Sequence, residues 1–406
     1  MKTLYNLPVK VIFCKNCVMS NQRPSSMIEF KHDINRKNAK YLNIDAKTRI
    51  CDACKVNEVK KNINWKLREK ELLKLLEKHR GKHGEYDCIV PGSGGKDSAY
   101  AAHILKYKYK MNPLTITWPP IMYTDYGYEN FKKWIEVGGF DNVTLRPNGK
   151  IMNLLTSLSI KNILHPFQTF ILGQKNLAPK LAKKFNIPLV FYGESESEYG
   201  NPIAESHKSL RKKEYYSENK ISNIILGGVP IKNLIKDYKI SYKDLYPFLP
   251  IQNSELNNFN LEIHYLGYYL KWKPQEVYYY AVENTGFKAR PFRTQGTYSK
   301  YNSIDDKIDD LHYYTTYIKF GLGRASYDAS QEIRNEDITR DEGINLVKKF
   351  DGEFPNLYID EILNHLNIKK DDFLKSLDKF RPMHLWKKTK EGWKLKHTVN
   401  LDGCND

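Results

Sequence analysis

Residues Pro91-Gly92-Ser93-Gly94-Gly95-Lys96-Asp97-Ser98 follow the apolar run Tyr86-Asp87-Cys88-Ile89-Val90 and lead into Ala99-Tyr100-Ala101-Ala102-His103-Ile104-Leu105. The order reads as strand, glycine-rich turn and helix. Two adjacent glycines let the backbone approach a ligand closely. A helix beginning at Ser98 aims its unpaired N–H groups and the positive end of its dipole back at the turn, which makes an anion site. The turn is not a GxxxxGK[ST] phosphate loop, because Asp97 separates Lys96 from Ser98.

Downstream, the same alternation repeats. Leu114-Thr115-Ile116-Thr117-Trp118 is a second strand, closed by Pro119-Pro120. A helical stretch from Tyr128 to Val137 leads through Gly138-Gly139 to a third strand, Asn142 to Leu145. A helix from Gln174 to Phe185 precedes the strand Pro188-Leu189-Val190-Phe191-Tyr192. Strands alternating with helices predict an α/β fold with a doubly wound, mostly parallel sheet. Ligands in such sheets sit at the carboxyl ends of the strands. Three segments therefore converge: the turn at 92–98, Thr117 and Trp118 with Asp125 just beyond, and Gly193-Glu194-Ser195-Glu196-Ser197-Glu198. Asp97 is the first magnesium candidate, being inside the turn. Glu194 and Glu198 either hold magnesium or receive protons, or form an exposed acidic loop.

Upstream lie Cys14-Lys15-Asn16-Cys17 and Cys51-Asp52-Ala53-Cys54, separated by a mostly polar interval with little to bury. Four thiolates on one ion supply folding free energy that so small a core lacks, so residues 1–62 are expected to form a structural zinc module. The rival reading is a redox dithiol or an iron–sulfur cluster. Residues 63–85 hold a linking amphipathic helix, with Trp65, Leu72 and Leu76 on one face and lysines elsewhere, stopped at Gly81 and Gly84.

The nucleotide-type α/β domain is placed at 86–230, and residues 231–406 are expected to be mainly helical. Pro274 opens a helix that Gly286 stops, Ser303 to Phe320 reads as one longer helix, and Thr339-Arg340-Asp341-Glu342 is a capping box. Arg324 and Asp328, after the Gly-Leu-Gly turn, are either a substrate clamp or a salt-bridged surface.

The chain has 406 residues, enough for two or three domains, and 65 basic against 47 acidic residues, a formal +18. That charge suits a phosphorylated substrate or nucleic acid but equally a solvated lysine-rich surface. No apolar run is long enough for a membrane span, and the N-terminus lacks a signal-peptide pattern, so the expected location is the cytoplasm.

The Ser93–Ser98 order SGGKDS resembles the pyrophosphate-binding loop of PP-loop ATP pyrophosphatases. Taken with the CxxC pairs and with YTDYGYENF, HPFQTFILGQK, YGESESEYGN, EIHYLGYYLKW, GTYSKYNSIDDKIDDLHYYTTYIKFGLGRASYDASQEIR and EDITRDEGINLVKKFDGEFP, the chain resembles the bacterial N-acetyl sugar amidotransferases. Those enzymes serve pseudaminic and legionaminic acid modification and O-antigen synthesis. The resemblance implies conversion of a sugar acetamido group to an acetamidino group, with ATP split to AMP and pyrophosphate. Carried over residue by residue, Ser93, Gly94, Gly95, Asp97 and Ser98 bind pyrophosphate and magnesium. Lys96 neutralises phosphate charge, so that Lys96 and Asp97 are the catalytic candidates. The acceptor is an N-acetylated sugar, free or nucleotide-linked. No cysteine–histidine arrangement for a glutaminase is visible. Ammonia is therefore expected from a separate glutaminase, with an ammonia-conducting subunit. The alternative is a tRNA-modifying thiolase or lysidine-type ligase of the same superfamily, against which stands the lack of a cysteine pair after the turn.

Overall fold

The computed structural model describes residues 3–24, 41–81, 85–193, 208–220, 222 and 224–400. Glu194 and Glu198 lie outside the described residues. Five parallel strands form the central sheet: β1 (Cys88–Pro91), β2 (Pro113–Thr117), β3 (Asn142–Thr144), β4 (Leu189–Tyr192) and β5 (Glu262–Tyr265), in the order β3-β2-β1-β4-β5. The sheet is doubly wound, as expected, because alternate residues of each strand feed two cores. Ile89, Leu114, Ile116 and Val190 face one side, against the helices Gly149–Ile163 and Gln168–Phe185. Cys88, Val90, Leu189 and Phe191 face the other, against the helices Trp65–His79, Lys96–His103 and Pro274–Thr285. The amphipathic linking helix is present, with Leu72 and Leu76 fully buried; each contributes about 1.5–3 kcal/mol of apolar burial.

The sheet differs from the sequence expectation in one strand. β5 comes from beyond residue 230, in the region expected to be mainly helical, and pairs with β4 from Leu189 opposite Glu262 to Tyr192 opposite Tyr265. The helix Pro274–Thr285 then returns to cover the sheet, stopped by Gly286 in the left-handed conformation at φ 69°. Among the described residues, the other regular elements beyond residue 230 are helices, apart from the hairpin Trp386–Thr389 with Gly392–Leu395.

Two predicted helix starts also move. The helix after the turn begins at Lys96, capped by Gly95, so that Ser98 lies in its first turn. The later helix runs from Ile308 to Phe320 rather than from Ser303. Ser303 adopts φ 54°, which breaks the helical path. The capping box of Thr339 and Glu342 forms as expected. No helix among the described residues is long and apolar enough to cross a membrane.

Candidate nucleotide site and cysteine cluster

Strand order reverses between β1 and β4, whose following connections leave on opposite faces of the sheet. The crevice this opens at their carboxyl ends is where doubly wound sheets bind ligands. Here it is a cavity of about 620 Å³. Its walls include Pro91, Gly92, Ser93, Gly95, Lys96, Asp97 and Ser98 from the turn, and Tyr192 and Gly193 from the end of β4.

The turn is tightly determined. Gly94 has φ 86° and lies against the helix Asp125–Glu136, where an added Cβ would stand 2.6 Å from the Phe131 Cα. Gly95, in contrast, is uncrowded, an added Cβ making only ordinary contacts with Asp305 Oδ2 at 3.6 Å and Ser93 Oγ at 3.9 Å. The Ser98 hydroxyl donates back to the Gly95 carbonyl at 3.0 Å. The Lys96 ammonium is buried and donates to Asp97 Oδ2 at 2.6 Å, leaving the Asp97 side chain 30% exposed at the cavity wall. Backbone N–H groups at a helix N-terminus, a lysine and an aspartate thus meet at one place, which is an arrangement for a phosphate chain and its counter-ion.

The remaining expected residues divide. Arg324 lines the cavity, while Asp328 is a buried anchor. It pairs with Arg324 Nε at 2.9 Å and accepts from the Thr297 hydroxyl at 2.6 Å and the Asn302 amide at 3.2 Å. Thr117 and Trp118 point elsewhere. The Thr117 hydroxyl takes the Asn142 amide at 3.0 Å inside the sheet. The Trp118 indole packs edge-on to Phe248 in space that Gly173 leaves free. Both side chains are buried because β2 lies one strand out from the reversal and its end is roofed by helix. Asp125 is exposed in the first turn of its helix and does not line the cavity.

The structure adds residues that the sequence did not single out. Asp305, Asp306 and Asp309 reach the cavity with His312, Tyr313 and Tyr301. Asp305 Oδ2 is 2.5 Å from Ser93 Oγ. Asp306 accepts the backbone N–H groups of Ile121 (2.6 Å), Met122 (3.2 Å) and Ile308 (3.0 Å), while burial pushes its carboxyl up to about 7. A signal was present, since an aspartate accepting from a helix's first N–H groups is a start signal.

The four cysteines form the second site. All are buried, and their sulfurs lie within 4.8 Å of one another, with Cys14–Cys54 at 3.9 Å and Cys17–Cys51 at 3.7 Å. Four thiolates about 2.3 Å from one tetrahedral ion stand about 3.8 Å apart, so the spacing suits a single metal ion. Leu322 packs into this cluster, and Arg340 donates to the carbonyls of Cys14 and Cys17, both at 3.3 Å. Cys88 is separate, buried in β1, where loss of solvent pushes its thiol up.

Residues 295–400 match the family described as LPS biosynthesis protein WbpG-like, C-terminal domain. The last quarter of the chain thus carries a WbpG-like segment. An uncharacterized protein of Methanocaldococcus jannaschii is 38% identical over 80 residues, 20% of this chain. That match spans 28% of the length of the curated relative. Among solved structures, the U34-tRNA thiolase NcsA from Methanococcus maripaludis with its 4Fe-4S cluster aligns over 78% of this chain and 88% of its own. The identity there is 13% and the TM-score 0.31. The WbpG-like segment contains Tyr301, Asp305, Asp306, Asp309, His312, Tyr313 and Arg324, so it forms one wall of the cavity whose other wall is the glycine turn.

Proposed function

We propose that this chain is an ATP-dependent amidotransferase that converts an acetamido group of an N-acetylated sugar to an acetamidino group, using ammonia and releasing AMP and pyrophosphate. The observation that carries the reading is the shared cavity: a phosphate-type turn on one wall, and on the other a segment of the kind found in LPS biosynthesis proteins.

The chemistry follows from the substrate. An amide carbon is a poor electrophile until its oxygen becomes a leaving group. Attack of that oxygen on the α-phosphate of ATP forms the new O–P bond and expels pyrophosphate. Ammonia then adds to the imidate carbon, and the C–O bond breaks to release AMP. The protein's task is alignment and charge stabilisation rather than covalent catalysis. Turn N–H groups and Ser93 hold the departing phosphates, and Lys96 offsets their charge. Asp97, at the cavity wall beside the turn, is the residue that would hold magnesium there, which spreads the phosphate charge. Arg324, fixed by Asp328, contacts the acceptor. The Cys14, Cys17, Cys51 and Cys54 site takes zinc in a closed, structural role. Among the described residues the cysteines are that cluster and the buried Cys88, which supports a separate glutaminase, with an ammonia-conducting subunit, as the source of nitrogen.

The test is incubation with ATP, magnesium, ammonium and a panel of free and nucleotide-linked diacetamido sugars. The expected product is lighter by about one mass unit, oxygen replaced by NH, with AMP formed in equal amount. Formation of ADP refutes the mechanism, and AMP formed only with tRNA as acceptor replaces this reading with a tRNA-modifying one.

A further inference from the structure

Four carboxylates line the cavity: Asp97, Asp305, Asp306 and Asp309. Three of them are engaged. Asp97 accepts from the Lys96 ammonium at 2.6 Å, Asp305 from the Ser93 hydroxyl at 2.5 Å, and Asp306 from three backbone N–H groups. The half-buried Asp309 side chain has no hydrogen bond and no ion pair with any described residue. The guanidinium on the same wall, Arg324, is directed instead to Asp328 Oδ1 at 2.9 Å and to the Tyr313 hydroxyl. A carboxylate partly withdrawn from water and given no protein partner is costly unless a ligand completes it. Loss of solvent and the carboxyls of Asp306, Asp305 and Asp310 push the Asp309 carboxyl up, while Arg324 draws it down. Such crowding of negative charge is relieved by a cation entering the cavity.

The proposed reaction makes one there. The acetamido group is neutral, whereas its amidino product is a strong base that carries a proton at neutral pH. The amide nitrogen keeps its hydrogen, two of the three hydrogens of ammonia stay on the new nitrogen, the third leaves to solvent, and the C–O electron pair departs with AMP. The result is a planar amidinium with N–H groups on both nitrogens. We propose that Asp309 is a catalytic residue that pairs with this amidinium, its two oxygens receiving the two N–H groups in the fork geometry of an arginine–carboxylate pair. The inference rests on the amidotransferase reading and assigns within it the residue that meets the developing positive charge. Because the amide is uncharged and the amidinium is not, the contact strengthens as the reaction proceeds, and interactions of that kind accelerate a step rather than merely bind substrate. The placement suits the role. Asp309 stands in the first turn of the helix Ile308–Phe320, its N–H donating to the Asp306 carbonyl at 3.2 Å, with His312 and Tyr313 one turn further along the same cavity-facing side.

The probe is acetamidinium chloride, the reacting group without its sugar, with acetamide as the neutral control of the same shape. Binding to the full chain is read by saturation-transfer NMR of the methyl signal. The wild type should prefer acetamidinium to acetamide by about tenfold or more, and Asp309→Asn should lose that preference. Asp309→Glu, which keeps the charge, should restore most of it, with thermal unfolding as the check that each variant is folded. One arm needs no variant: guanidinium should displace acetamidinium from the wild type, and tetramethylammonium, a cation without N–H groups, should not. Equal binding of the two probes, equal preference in the wild type and Asp309→Asn, or displacement by tetramethylammonium overturns the inference. Displacement by magnesium in the absence of nucleotide also overturns it, since Asp309 is then a metal ligand. None of these measurements uses turnover. Failure of the amidotransferase reading is seen separately, as absence of AMP in the sugar assay.

Discussion

The two adjacent glycines of the turn make opposite predictions. At Gly94 the backbone is left-handed, φ 86°, and an added Cβ meets the Phe131 Cα at 2.6 Å and the Asn130 carbonyl oxygen at 2.8 Å. A left-handed alanine costs about 1–2 kcal/mol. Overpacking against helix backbone, which cannot rotate aside as a side chain can, adds about 1–3 kcal/mol. Gly94→Ala should therefore destabilise the chain by about 2–5 kcal/mol, a large part of the usual margin of about 5–15 kcal/mol. Gly95 stands at φ −65°, ψ 158°, a conformation open to any residue, with no neighbour closer than 3.6 Å to an added Cβ. Gly95→Ala should fold with a loss of at most about 1 kcal/mol for the weaker cap. Its methyl would instead enter the cavity in which the proposed function places phosphate. Losing one charge-assisted hydrogen bond there, worth about 1.5–3 kcal/mol, weakens ATP binding about 10- to 150-fold. Thermal unfolding and ATP–magnesium titration of both variants separate the two effects. The reasoning fails if Gly95→Ala binds ATP as tightly as the wild type, or if Gly94→Ala melts with it.

Two further outcomes are expected. Metal analysis should give one zinc per chain without visible colour, and stripping it with a strong chelator should lower the melting temperature, since four buried thiols lose the ion that joins them; a brown iron–sulfur chromophore refutes the closed zinc site. Stability should also decline with rising pH through the buried acids. Burial pushes Asp306 and Asp310 to about 7 from an ordinary value of 3.8. The folded chain then holds protons that the unfolded chain has released, so their contribution is complete below about pH 3.8 and is lost as pH rises through about 7. Neither carboxylate oxygen of Asp310 has a hydrogen-bond partner among the described residues. Asp310→Asn should therefore flatten the fall in melting temperature between pH 5 and pH 8, and parallel curves for the two proteins would refute this.

The parts of the fold legible in sequence are those with local signals. Cys88 to Ser98 announces strand, turn and helix, and Thr339 with Glu342 announces a helix start, because in each case the interacting groups are neighbours in the chain. β5 was not legible. Glu262-Ile263-His264-Tyr265 is short and carries a buried histidine, and only its pairing with Leu189–Tyr192 makes it a strand. Asp305 and Asp306 were read inside a helix because Ile-Asp-Asp-Lys-Ile-Asp-Asp fits helical spacing as well as any loop. Their roles depend on Ser93 and Ile121, partners 212 and 185 residues away. Trp118 misled in the other direction. A strand end in a doubly wound sheet is a good place for a ligand residue, but only near the strand-order reversal, and sequence does not give strand order.

The Arg340 guanidinium that grips the carbonyls of Cys14 and Cys17 also holds the Asn400 carbonyl at 3.1 Å, and Leu7, Val11 and Phe13 pack with Trp386 and Val399. During synthesis, both cysteine pairs leave the ribosome well before Leu322 and Arg340, which pack against them. The cysteine cluster must therefore wait, with its thiols accessible, through translation of the 286 residues from Cys54 to Arg340. Such distant pairings fold slowly. Early capture of a metal ion would protect the nascent thiols from oxidation, so cells short of the metal that fills this site should lose this protein chiefly as newly made chains rather than as finished ones.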